Sequence, residues 1–164
     1  MSALVKYVSG LLLVGLLVFL PAGTLNFANG WLFLGVLFLP ILLLGIVLFI
    51  KAPELLKKRL EGKEDENTQR KVVGFSALIF LLGFIIAGLD FRFGWSKVPN
   101  VVVIIAAVVT LVSYGIYAEV MRENAYLSRK IEVQQGQKVV DTGLYGVVRH
   151  PMYMATVFMF LSIP

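Results

Sequence analysis

Not one Asp, Glu, Lys or Arg occurs from residue 7 to residue 50. A bilayer core takes about 20 helical residues, so this stretch is too long for one span and predicts two. The break falls at Pro21-Ala-Gly-Thr-Leu-Asn-Phe-Ala-Asn-Gly30, where Pro, Gly and Asn are the residues of a tight turn. Two more uncharged stretches follow, residues 72–89 and 98–118, each of span length. None of the four alternates apolar and polar positions as a barrel strand does. The pattern predicts an all-α integral membrane protein with four transmembrane helices. Lys6 ahead of the apolar residues 11–20 imitates a secretory signal, but no small-x-small cleavage site precedes the next span. The first helix is therefore expected to stay in the protein.

Composition agrees. Of the 164 residues, 59% are hydrophobic and 15% charged, with a mean hydropathy of +0.86. A soluble domain is about half apolar and a quarter charged, so that class is excluded. The chain has no Cys and one His. Disulfides, thiolate nucleophiles, Cys-ligated zinc and multi-histidine metal boxes, the desaturase diiron type included, are excluded with them.

Lys and Arg outnumber Asp and Glu by 15 to 10, a net charge of +5. The positions of the positive charges explain the excess. Residues 21–30 carry none, and residues 90–97 carry Arg92 and Lys97. The other thirteen are Lys6, seven in residues 51–71, and Arg122, Arg129, Lys130, Lys138 and Arg149. By the positive-inside rule the N-terminus and both long segments are expected on the cytoplasmic side. Basicity is thus a topology signal, so no nucleic-acid partner is expected, and anionic lipid headgroups are the electrostatic partner.

The two charged segments differ. In the first, Pro53-Glu54 suits a helix start. Leu55, Leu56 and Leu60 interleave with Lys57, Lys58 and Arg59 as in a short interfacial helix. Residues 62–69 read as a solvated turn. In the second, Tyr114, Tyr117, Met121, Asn124 and Ser128 recur at helical spacing. They form a semi-polar stripe, which ordinary packing and an interfacial tyrosine belt would equally produce. Glu119, Arg122 and Glu123 are placed to pair along the same helix. Beyond it, residues 130–133 and 138–140 flank Gln134-Gln-Gly-Gln137 as in a small hairpin.

The richest stretch is Asp141-Thr-Gly-Leu-Tyr-Gly-Val-Val-Arg-His-Pro-Met-Tyr153. Gly143 and Gly146 permit tight turns or close approach of a ligand to backbone. Pro151 marks the first turn of a final apolar helix with His150 at its cap. The N–H groups there, together with Arg149, suit an anionic group. Tyr145 and Tyr153 offer aromatic faces to a cation. Both preferences within a dozen residues suit a zwitterion with an extra positive centre. Plain anchoring of a helix at the membrane surface is the other reading of these residues.

The segment Gly143-Leu-Tyr-Gly-Val-Val-Arg-His-Pro-Met-Tyr153 resembles the signature of the isoprenylcysteine carboxyl methyltransferase family and its bacterial relatives, the phospholipid methyltransferases among them. Gln134 and Gln137-Lys-Val-Val-Asp-Thr resemble the stretch that precedes it in those enzymes. Pro53-Glu-Leu-Leu and the helix end holding Asn124 fit the same bacterial group. The likeness covers about the last forty residues, and the earlier part matches only as a pattern of helices.

The resemblance implies a membrane methyltransferase that uses S-adenosylmethionine without a Rossmann domain. Its methyl donor would sit in a cytoplasmic pocket, and a lipidic or small amphipathic acceptor would arrive laterally from the bilayer. Carried over by position, Gln134, Gln137, Lys138, Val139, Val140, Tyr145, His150, Pro151, Met152 and Tyr153 would line that pocket. His150 would orient the cofactor or move a proton, with Arg149 as the second candidate for a catalytic role, unless Arg149 pairs with Glu119 or Glu123. Residues 1–164 would then form one domain, with four helices in residues 1–118 and the cofactor motif and the start of a fifth helix in residues 119–164.

This chain departs from the family at position 155, where Ala stands for the usual Gly, and after the motif. Only thirteen residues follow Pro151, against the roughly 20 of a span. Family members continue to a further helix and an Arg and Glu-Glu segment that closes the pocket. The resemblance implies a chain truncated at its C-terminus, whose last apolar helix is covered by the missing part or by a neighbouring copy. Two other classes stand beside this one. Sterol reductases are similar to the family in their C-terminal helices and use NADPH there. A non-catalytic membrane scaffold would keep the motif for packing alone.

Overall fold

A computed structural model describes residues 3–61, 67–124 and 140–163. Their secondary structure is entirely helical: α1 Ala3–Ala22, α2 Ala28–Lys51, α3 Pro53–Glu61, α4 Asn67–Phe93, α5 Asn100–Glu123, α6 Leu144–Val147 and α7 Pro151–Ser162. Four of them, α1, α2, α4 and α5, are long and apolar enough to cross a membrane. At a rise of about 1.5 Å per residue, 20 helical residues cover the roughly 30 Å of hydrocarbon. Their outward side chains are apolar, with Leu20 76%, Phe49 71% and Ile50 71% exposed. In water such surface would be a liability, whereas in lipid it is the solvated face. The chain is thus a multi-pass membrane protein by helix length and surface.

Helix ends fall where backbone chemistry puts them. The first turn is shorter than residues 21–30, because α1 runs through Pro21 and α2 begins at Ala28. Gly23, with φ of 70°, stops α1, its N–H reaching the carbonyls of Phe19 at 3.1 Å and Leu20 at 3.2 Å. Gly94, with φ of 64°, stops α4 in the same way, its N–H 2.7 Å from the Asp90 carbonyl. The Asp90 carboxylate then accepts from the N–H and hydroxyl of Ser96 at 2.8 and 2.7 Å. α4 also starts earlier than expected: residues 67–69, read as part of a solvated turn, are already helical. Charge marks where hydrocarbon ends, and helical hydrogen bonding continues past that point.

The chain divides into two compact units, with the divisions falling within α2 at Pro40 and within α5 after Ala107. In unit 1, α1, α4 and the first part of α2 pack around Val18, Phe19, Leu34 and Phe38. Gly88 of α4 lies on the backbone of α1, against the Val18 carbonyl, and a Cβ there would meet Pro21 at 3.1 Å and the Ala22 nitrogen at 3.2 Å. Small residues give membrane helices this approach, since lipid supplies no hydrophobic drive between them. Arg92 lies beside Gly23, so α1 and α4 run parallel. Phe27 stacks on Phe91 at 4.0 Å and Phe33 meets Phe84 at 5.6 Å, which sets α2 antiparallel to α4.

In unit 2, α7 lies antiparallel to α5, as the order of their hydroxyl contacts requires. Thr110 meets Ser162 at 2.8 Å, and Tyr117 meets Thr156. Val120 and Ala155 are wholly buried, with Met121 and Met159 nearly so. The Thr156 hydroxyl also donates to the Met152 carbonyl at 2.8 Å, so the Tyr117 phenol is the donor between the helices. Residues 124 and 140–150 continue this unit and carry the motif.

Candidate functional site

The last turn of α5 builds the site from below. Arg122 pairs with Glu119 through two hydrogen bonds, 2.9 Å from Nε and 2.6 Å from Nη2. A cation in the last turn suits the negative end of a helix. Glu123, the terminal residue, does not join that pair and instead accepts the Leu144 N–H at 3.1 Å. The next residue, Asn124, donates its amide to the Tyr145 hydroxyl at 3.0 Å. Neither acidic residue therefore sits on Arg149.

Gly143 opens the motif with φ of 54°, a left-handed conformation that glycine adopts without penalty. A Cβ at this position would fall on the Glu123 carboxylate. The chain then turns through α6, held by bonds from Tyr145 N to Thr142 O at 3.0 Å and from Val148 N to Leu144 O at 2.9 Å. His150 takes the N-cap position of α7 and Pro151 its first turn, as the sequence predicts. Among the described residues, the imidazole makes no side-chain capping bond. It lies on the Tyr153 ring instead, centroids 5.4 Å apart and planes 29° from parallel.

Tyr145, Arg149, His150, Pro151, Met152 and Tyr153 line one open cavity of about 150 Å³. Small-molecule pockets enclose roughly 300–1,000 Å³, so this smaller, open space is a wall and not an enclosure. The wall carries a guanidinium and a helix N-terminus, which suit a carboxylate. It also carries two tyrosines and a histidine, whose ring faces suit a cation. That set suits a small zwitterion with an extra positive centre. Among the described residues, no group of three or more His, Asp or Glu side chains is placed to hold a metal ion.

Five of the ten residues expected at a cofactor meet in this wall, Tyr145, His150, Pro151, Met152 and Tyr153, joined by Arg149. Val140 is half-buried beyond it. Gln134, Gln137, Lys138 and Val139 lie outside the described residues, as do Ser128 and all but Val140 of the hairpin expected over residues 130–140. A second cavity, about 250 Å³ and lined by Pro40, Leu43, Leu44, Leu111, Tyr114 and Gly115, is apolar throughout save for the tyrosine.

Sequence pattern misses the contacts of Glu123 and Asn124 with residues 144 and 145. Helical spacing reports neighbours three and four apart, and these partners are 21 residues away. The one hint is Asn124, on the same stripe as Tyr117. No protein-family model, curated protein or solved structure matches this chain.

Proposed function

We propose that this chain is an integral membrane methyltransferase that uses S-adenosylmethionine and modifies a lipidic or small amphipathic acceptor. One observation carries the reading. The segment at residues 143–153, which resembles the isoprenylcysteine carboxyl methyltransferase signature, gathers Tyr145, Arg149, His150, Pro151, Met152 and Tyr153 around a single cavity. In this reading the motif faces the cytoplasm, where the positive-inside rule puts thirteen of the fifteen basic residues. α7 then begins the fifth membrane helix.

The bound cofactor would supply an electrophilic methyl group on a sulfonium. The protein's own contribution is placement, because aligning nucleophile, methyl and leaving sulfur provides most of the acceleration of an in-line displacement. Arg149 and the N–H groups of Met152 and Tyr153, the first that α7 offers after Pro151, would hold the cofactor carboxylate. The stacked His150 and Tyr153 rings shield the cationic end from water and orient it. A carboxylate acceptor needs no proton removed, whereas an amine does, and His150 is the general-base candidate in this wall.

Isothermal titration of S-adenosylmethionine into the chain in lipid nanodiscs tests the reading. Binding is expected, with His150→Ala and Tyr153→Ala each weakening it by about tenfold or more, as the loss of a stacked or hydrogen-bonded partner implies. Binding of NADPH in its place would move the chain to the reductase class, and binding of neither would leave the motif a packing element.

A further inference from the structure

Glu123 sits where helix physics does not favour it. It is the last residue of α5, where a negative charge faces the negative end of the helix dipole. Arg122 already serves that end and already has Glu119 as its partner. The Glu123 carboxylate makes no salt bridge with Arg122 and reaches across to the Leu144 N–H at 3.1 Å, into space that exists only because residue 143 has no side chain. One position along, the Asn124 amide holds the Tyr145 hydroxyl at 3.0 Å. Two consecutive residues of α5 and its end thus grip two consecutive residues of the motif, and Tyr145 is one of the six that line the cavity.

We propose that Glu123 and Asn124 are positioning residues that latch the turn at residues 143–147 to α5, and so set the cavity wall before any ligand arrives. Glu123 fixes the backbone of the turn and Asn124 fixes the direction of its aromatic side chain. Neither lines the cavity. Their effect on binding is therefore one of preorganisation, which strengthens binding by removing the ordering cost of a flexible wall. The latch itself is independent of the ligand, and its effect on affinity rests on the methyltransferase reading above.

The chain contains no Cys, so a spin label on Val147→Cys, a position 84% exposed on α6, reports the turn alone. The parent for this experiment is the labelled chain in nanodiscs, compared with versions that also carry Glu123→Ala, Glu123→Gln or Tyr145→Phe. Glu123→Ala is expected to raise label mobility and to weaken S-adenosylmethionine binding by about tenfold, the loss of one charge-assisted hydrogen bond. Tyr145→Phe, which removes the Asn124 contact and leaves that of Glu123, is expected to keep the parent's mobility. Glu123→Gln keeps an acceptor for the Leu144 N–H and is expected to retain the parent's mobility and its affinity within about threefold. Circular dichroism confirms that each version keeps its helix content. An unchanged label spectrum in Glu123→Ala overturns the latch, as does equal loosening in Glu123→Gln. Loosening in Glu123→Ala with rescue in Glu123→Gln, in a chain that binds no S-adenosylmethionine at all, supports the latch and removes the methyltransferase reading.

Discussion

At the scale of single residues, glycine at 143 answers two demands at once. Its φ of 54° is one that side chains resist, and its missing Cβ leaves room for the Glu123 carboxylate. Gly94 meets only the first demand, with φ of 64° and nothing within 4 Å of where a Cβ would stand, while helical Gly45 meets neither. The three positions therefore separate strain from collision. Gly94→Ala should cost about 1–2 kcal/mol of stability, the penalty of a left-handed alanine. Gly143→Ala should cost more, because its ψ of −125° takes it outside the left-handed helical region and because the Leu144 N–H left unpaired adds about 1–3 kcal/mol. Gly45→Ala should be neutral or slightly stabilising. Thermal unfolding in detergent, read by circular dichroism, ranks the three. A Gly143→Ala no worse than Gly94→Ala would mean that the Glu123 contact carries no weight.

At the scale of elements, α7 packs through its buried face, with Ala155 at the centre of it. This methyl is wholly buried, at the position where the resembling family usually has glycine. The helix neighbours accept one carbon there and have no space for four. Ala155→Leu should destabilise by about 1–3 kcal/mol through overpacking. Leu161→Ala, at a side chain 79% exposed, should change stability in detergent by no more than about 0.5 kcal/mol. Equal effects at the two sites would show that α7 is not docked on α5 as described. The elements themselves are legible in the sequence because the absence of charge is a strong and simple pattern. Their ends are less so. Pro21 reads as a breaker, yet it is Gly23 that turns the chain, since a proline near the end of a helix removes one hydrogen bond and a left-handed glycine reverses direction. The hydroxyls of Thr110, Thr156 and Ser162 stand in apolar stretches and that of Tyr117 on the semi-polar stripe, and only the antiparallel packing of two helices makes them partners. In the motif, the turn glycines and the capping position of His150 can be read directly, because they depend on local backbone chemistry. The grip of Glu123 and Asn124 cannot, because it depends on where a distant turn returns.

At the scale of the whole molecule, charge placement predicts a side for every connection. In a bacterial inner membrane, Lys97→Cys should react with a membrane-impermeant maleimide in intact cells and Lys57→Cys should not, with the order reversed in inside-out vesicles. Labelling of both from one side would refute the four-span arrangement, and reversal of the two would place the motif outside the cell. The candidate site also bears on how this protein would respond to selection. Ser, Thr, Asp or Asn at the head of α7 would hold its first N–H groups and add about 1 kcal/mol to the helix. The chain has His150 there instead, with its ring turned onto Tyr153 rather than onto the backbone. A search for heat-resistant variants would thus be drawn to replace the very imidazole that completes the cavity wall, and robustness would be gained at the expense of the ligand recognition proposed for it.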